Sequence, residues 1–435
     1  MKPAVALPGT GAFRLANIRV HRATTDVAGL AYDADGLARA DLVVEAGRLA
    51  SIEAPGNPKD GIDGRGGIVL PAFIDCHTHL DKGQIWGRAP NPDGTFDAAL
   101  EAAGRDREAR WTLNDIARRM DFSLRSAYAH GTAAIRTHLD CVAPNDLAVW
   151  PLLAEIREAW RGRIELQAAC LMPVDIAREP ERLKTIADTV ATTGGVLGAF
   201  TYMVPDLDAL LDRIFAAAIE RGLDLDFHAD ETADEASVAL AHIAAAALRN
   251  RYEGRVLVGH CCSLARQPDA QALGTLDLVA KVGLSIVSLP LCNLYLQDRR
   301  VDVTTPRWRG VTLVHEMAAR GITVAVASDN TRDPFYAYGD LDMLEVYRAA
   351  TRILHLDHPI RDWPAAIGAN PARAMGLAGA GRLVAGASAD LVLFRGRSFT
   401  ELLSRPESDR VVVRAGRPIA RDLPDYSELD DLMEA

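Results

Sequence analysis

The sequence predicts an α/β fold, a (β/α)8 TIM-type barrel with a small β-sandwich domain formed by both chain termini. Three observations carry this reading. The middle of the chain alternates short apolar runs with amphipathic helical stretches, the pattern of parallel strands joined by crossover helices. Eight such runs can be followed, ending near Asp75, Asp140, Leu171, Phe200, His228, His260, Ser288 and Asp329. Segments of β-type alternation bounded by turn residues open and close the chain. Eight repeats fit a closed barrel better than an open doubly wound sheet, although periodicity by itself leaves closure open.

The elements follow in order. Phe13 to Val20, Ala40 to Glu45 and Arg48 to Ile52 alternate as strands of an antiparallel sheet. Similar segments close the chain: Ala389 to Phe394, Arg410 to Arg414 and Gly416 to Ile419. The two ends are expected to pair into a β-domain of residues 1–70 plus 377–435, with residues 71–376 as the barrel. Between the barrel strands, 3.6-residue periodicity predicts helices over Leu113 to His130, Leu152 to Arg161, Pro180 to Thr192, Leu207 to Arg221, Ala233 to Arg251 and Val311 to Arg320. The acidic stretch from Asp422 to Ala435 reads as a solvated end.

A chain of 435 residues that is 49% hydrophobic can bury one large core. A net charge of −11 disfavours the clustered Lys and Arg that grip nucleic acid. Six scattered cysteines lack the spacing of a zinc ribbon or a disulfide framework, as expected of thiols in a reducing cytoplasm. No basic segment with a following apolar run opens the chain, and no uninterrupted eighteen-residue apolar stretch occurs, so neither secretion nor a membrane partner is expected.

The chemistry concentrates at strand ends. His77-Thr78-His79 follows the apolar run Gly67 to Asp75, and side chains at i and i+2 of a strand share a side, so two imidazoles converge there. Alone, the pair could equally be ordinary polar residues. Strand five then ends in His228, with Asp230 and Glu231 just beyond; strand six ends in His260, and strand eight in Asp329. A lone histidine closing a strand is more often structural, but four histidines and an aspartate in register with the repeat point to a metal hydrolase at the C-terminal mouth of a barrel. His138 ends strand two and faces the same mouth, where it would help shape a pocket. His130, His242, His315, His355 and His358 lie in helical or turn contexts and read as surface or packing residues.

The stretches Asp75 to Asp81, Arg136 to Asp140, His228 to Glu231, Pro290 to Gln297, Arg309 to Thr312 and Ser328 to Phe335 resemble the amidohydrolase superfamily, and within it the cytosine deaminase group, over essentially the whole chain. The resemblance implies one divalent metal ion per chain, zinc or iron, held by His77, His79, His228 and Asp329. Nitrogen-rich ligation with one carboxylate suits either ion. Two-metal relatives use a lysine at the end of strand four, and Gly194 to Met203 contains none.

The resemblance also implies roles. A bound divalent ion lowers the pKa of its water from about 15.7 toward about 7. His260 would orient that water, Asp329 would accept its proton and pass it to the leaving amine, and Glu231 would protonate the ring nitrogen. The expected function is hydrolytic deamination of an amino-substituted nitrogen heterocycle, with ammonia released. Three positions depart from the group's pattern and are assigned to substrate binding together with His138. Val174 stands where a Gln reads the pyrimidine's amide edge, Asn330 replaces the second residue of an Asp-Asp pair, and Phe335 replaces a Trp. Val174 cannot hydrogen-bond through its side chain, which favours a 5-substituted cytosine or an aminotriazine over plain cytosine. The rivals are a cyclic-amide or N-acyl amidohydrolase of the dihydroorotase and hydantoinase kind, and a non-catalytic scaffold. The scaffold reading is disfavoured because no site residue is missing. A homo-oligomer is suggested by analogy alone.

Overall fold

A computed structural model describes residues 5–143, 147–300 and 304–434. The chain opens with β1 (Phe13–His21), β2 (Leu37–Glu45), β3 (Arg48–Glu53), β4 (Ile62–Asp63) and β5 (Val69–Pro71). Eight strands follow, β6 (Phe73–Thr78), β7 (Thr132–Asp140), β8 (Glu165–Pro173), β9 (Leu197–Thr201), β10 (Leu225–Ala229), β11 (Val256–His260), β12 (Ser285–Ser288) and β13 (Thr323–Val326). The chain closes with β14 (Leu391–Leu393), β15 (Val411–Arg414) and β16 (Arg417–Pro418). It divides into two compact units.

One unit comprises Met1–Asp75, Arg125–Ala134 and Asp342–Leu423. It holds two four-stranded sheets, ordered β3-β2-β1-β4 and β16-β15-β14-β5. The second joins the two ends of the sequence, with Val392 opposite Leu70 in an antiparallel pair. Alternation places Leu15, Ile18, Leu42 and Val44 of one sheet in a common core with Val69, Leu391, Leu393 and Val413 of the other, all buried. Burying one apolar face of each sheet against the other is what makes a sandwich.

The other unit comprises Cys76–Leu124, Ile135–Leu341 and Pro424–Ala435. The eight strands from β6 to β13 are ordered sequentially in one sheet, and the pairs β8/β9, β9/β10, β10/β11, β11/β12 and β12/β13 are parallel. Closure comes from the residues past the last strand: Asp329 N donates to His77 O at 2.9 Å, and Thr78 Oγ1 donates to Asp329 O at 2.7 Å. Strands β6, β10 and β11 are buried along their whole length, as expected of parallel strands covered by helices. Helices Leu113–His130, Pro180–Thr192 and Leu207–Arg221 match the periodicity. The helix expected from Ala233 begins instead at Ala239. Asp230 causes the delay, because its carboxylate accepts the amides of Ala239 (2.8 Å) and Leu240 (2.9 Å) and the Ser237 hydroxyl (2.8 Å).

The tail's acidic side chains are solvent-exposed, as its charge suggested, while other contacts anchor it. Tyr426 packs on Phe122 with ring centroids 5.6 Å apart, and the Arg332 guanidinium lies 4.4 Å over the Tyr426 ring. Arg118 Nη2 donates to Asp431 at 2.8 Å, and Arg88 Nη1 to Leu432 O at 3.0 Å. All six cysteines are buried and free. Among the described residues, no helix is long and apolar enough to cross a membrane.

Candidate metal centre and active site

The strand ends bring the predicted residues together. His77 and His79 leave β6 toward the mouth, His228 lies in β10, His260 ends β11, and Asp329 stands three residues beyond β13. His260 (φ 69°) and Asp329 (φ 62°) both adopt the left-handed backbone region, which costs a non-glycine residue about 1–2 kcal/mol. The strain turns the chain sharply where these side chains must point inward.

His79 Nε2 lies 3.2 Å from His228 Nε2 and 3.3 Å from Asp329 Oδ1, while His77 Nε2 lies 3.6 Å from the same carboxylate oxygen. All four side chains are at least 95% buried. Burial holds the His77, His79 and His228 imidazoles well below their usual titration range, reinforced by the neighbouring imidazoles and, at His79, by the Lys82 ammonium. Neutral imidazoles present lone pairs, and three of them converge with a carboxylate. The donor set fits a divalent metal ion.

Next to this cluster, Glu231 Oε1 lies 3.2 Å from His260 Nδ1. Burial first, and then the Asp329 carboxylate, push the Glu231 carboxyl well above the ordinary range. Burial likewise pushes His260 down to about 3. A carboxyl group with a raised pKa and a neutral imidazole therefore face the same space.

That space is a cavity of about 210 Å³. His79, His228, His260, Glu231 and Asp329 form its polar end. Phe96, Phe200 and Phe335 form aromatic walls, with the Phe96 ring centroid 6.3 Å from Phe200 and 5.7 Å from Phe335. Lys82 and Arg107 also reach the cavity, both tied to Asp140, at 2.6 Å and 3.2 Å.

Asn330 and Phe335 line the cavity. Val174 is fully buried and is not among the lining residues, which on that side are Leu171, Met172 and Pro173. His138 does not line it either. Its Nε2 lies 3.1 Å from Asp226 Oδ1, and its ring packs 4.1 Å from that of His77, so it supports a site histidine from beneath. Asp226 is in turn bound by Arg136 Nη1 at 3.0 Å, a fully buried pair. Sequence reasoning passed over Lys82, Asp140, Phe96, Phe200 and Asn293. Lys82 carried a signal, since an ionisable residue three positions after His79 cannot travel far from the mouth.

The amidohydrolase family model (Amidohydro_3) matches residues 179–420. A pterin deaminase of Rhizobium rhizogenes (strain K84 / ATCC BAA-868) is 52% identical over 431 residues, 98% of each chain. The N-isopropylammelide isopropyl amidohydrolase of Pseudomonas sp. (strain ADP) is 26% identical, over 88% of this chain and 94% of its own. Among solved structures, 5-methylcytosine deaminase from Klebsiella pneumoniae liganded with 5-fluorocytosine superposes with a TM-score of 0.80 at 22% identity, covering 95% of this chain and 98% of that one. At that identity the likeness is one of fold.

Proposed function

The chain belongs to the amidohydrolase family, and from that premise we propose that this hydrolytic deaminase of a heterocycle acts on a fused two-ring amino-oxo compound of the pterin type. Hydrolysis of a C–N bond is the coarse activity that the 52% identical pterin deaminase supports. The finer reading is carried by one observation: the histidine and aspartate cluster opens, beside Glu231, into a slot lined by Phe96, Phe200 and Phe335. Flat aromatic walls favour a flat, extended ring system, because stacking contributes about 0.5–1.5 kcal/mol per aromatic pair beyond area burial. The 52% identical pterin deaminase supports a bicyclic substrate, where the sequence pointed to monocyclic cytosines or triazines.

In this reading His77, His79, His228 and Asp329 hold one zinc or iron ion, and β9 offers no lysine to bridge a second. When bound, the ion supplies an ionised water at neutral pH. Glu231 delivers its proton to the ring nitrogen next to the amino-bearing carbon. Asp329 takes the proton of the attacking water and returns it to the departing amine, while His260 holds that water in place. Lys82, its ammonium fixed by Asp140, meets the oxo group of the ring. The six buried thiols accord with a reducing cytoplasm.

The test is a panel of pterin, cytosine, 5-methylcytosine and an aminotriazine assayed for ammonia release, with metal counted by elemental analysis. We expect about one ion per chain and the highest kcat/KM on pterin. A monocyclic compound turned over tenfold better than pterin would refute the two-ring reading.

A further inference from the structure

Asn293 has no role in the scheme above, yet it sits at the junction of the two groups that face the cavity. It lies in the helix Pro290–Leu296 and is fully buried. Its Nδ2 is 3.1 Å from Glu231 Oε1 and 3.0 Å from His260 Nδ1, so one amide nitrogen touches both. Gln297, one turn on, donates to Glu231 O at 3.1 Å and holds the same backbone in place.

The orientation of this amide follows from chemistry. With the amide reversed, its oxygen would face Glu231 Oε1, and two oxygens repel whenever Glu231 is ionised. With NH2 inward, the amide donates to Glu231 Oε1, which accepts in either charge state, and to His260 Nδ1; Glu231 Oε1 also stands 3.2 Å from that Nδ1, where a protonated Glu231 can donate to it as well. Nδ1 of His260 must then be the acceptor. A neutral imidazole with a bare Nδ1 carries its proton on Nε2. That Nε2 is buried, has no hydrogen-bond partner among the described residues, and belongs to a group with His77 and Asp329 whose ligand atoms lie within 4.8 Å of one another.

We propose that Asn293 is a positioning residue that fixes the His260 tautomer, so that His260 presents an Nε2–H donor to the attacking water and leaves Asp329 as the proton acceptor. The proposal rests on the deaminase reading for its kinetic consequence, but not for the tautomer itself.

The decisive measurement is a nitrogen-15 spectrum of the zinc-loaded, histidine-labelled enzyme, with the His260 signals assigned by their loss in His260→Asn. The proposal expects a pyridine-type Nδ1 and a protonated, pyrrole-type Nε2; the reverse pattern overturns it. Asn293→Asp replaces the donor with an acceptor of the same shape. It should move the proton to Nδ1 and lower kcat by about a hundredfold, with KM within threefold and zinc content unchanged. An unchanged tautomer in that variant, or a kcat within threefold of wild type, also overturns the proposal. Should the variant not fold, the wild-type spectrum decides alone. Because the spectrum needs no substrate, a wild type that releases no ammonia would sink the functional reading and leave the tautomer result standing.

Discussion

Replacing Glu231 by Gln separates chemistry from folding more cleanly than any other change in the site. Glu231 is buried, with 7% of its side chain exposed, and burial together with Asp329 pushes its carboxyl well above the ordinary range. Gln has the same shape, is uncharged, and retains an oxygen for Asn293 Nδ2, now at 3.1 Å from Oε1. No buried charge is stranded, so the change in stability should stay within about 1 kcal/mol, the net worth of one hydrogen bond. The rate is another matter, because the amide cannot give a proton to the ring. Loss of a positioned acid is worth about 10²–10⁴-fold, or roughly 3–5.5 kcal/mol on the barrier. The assay is kcat from ammonia release, with zinc content and melting temperature measured on the same preparation. A kcat within tenfold of wild type at full metal content would remove Glu231 from proton delivery.

Two further predictions concern stability. Asp226→Ala strands the Arg136 guanidinium, 1% exposed, together with His138, and breaking a buried pair costs about 3–5 kcal/mol; denaturant unfolding should show it, and a loss below about 1 kcal/mol contradicts the pairing. His21 is fully buried, its Nδ1 accepting from Ala23 N, and burial pushes it from 6.5 down to about 4. The unfolded chain therefore binds the extra proton between those values, so stability is complete above pH 6.5 and falls by up to about 3 kcal/mol as pH drops toward 4. His21→Gln should flatten that part of the stability profile, and an unchanged profile would exclude His21 as its source.

The clustered histidines and Asp329 were legible because their signals are local: i and i+2 spacing in a strand, and polar groups each closing an apolar run. The eight strand ends were legible for the same reason, since burial on both faces writes itself as a continuous apolar run. What failed to show depends on pairs remote in sequence. Asp226 looks like any polar residue in Leu225 to Ala229, and only the fold reveals that it meets Arg136 and His138 from β7. Asn293 sits in a recognised stretch, yet its contacts lie 62 and 33 residues away. The left-handed turns at His260 and Asp329 were only weakly signalled, because His and Asp enter that region more readily than most residues but far less often than Gly. The tail's charge correctly signalled solvent, but its anchoring did not show: Arg118 pairs with Asp431, and Tyr426 packs on Phe122.

Gly259 shows how a position silent in sequence can constrain the proposed metal site. It precedes His260 and stands opposite His228 in the β10/β11 register, where any small residue would pass as a strand residue. A Cβ built there would lie 2.8 Å from His77 Cε1 and 3.1 Å from His77 Nδ1. His77 is fully buried, with its ring 4.1 Å from that of His138 and 4.4 Å from that of His228, so it has no free space to retreat into. Gly259→Ala must displace the imidazole by a few tenths of an ångström, while ligand distances tolerate about 0.2 Å. Overpacking of this kind costs about 1–3 kcal/mol. If that strain is relieved by moving His77, metal affinity falls by roughly tenfold to a hundredfold, at 1.4 kcal/mol per decade. Competition against a zinc chelator reads this directly, and the melting temperature of the metal-free protein reports how much of the strain is borne by the fold instead. An unchanged zinc affinity with a lowered apo-protein melting temperature would mean that the barrel, not the imidazole, absorbs the methyl group, and His77 would then not be the tightly wedged ligand that its packing indicates.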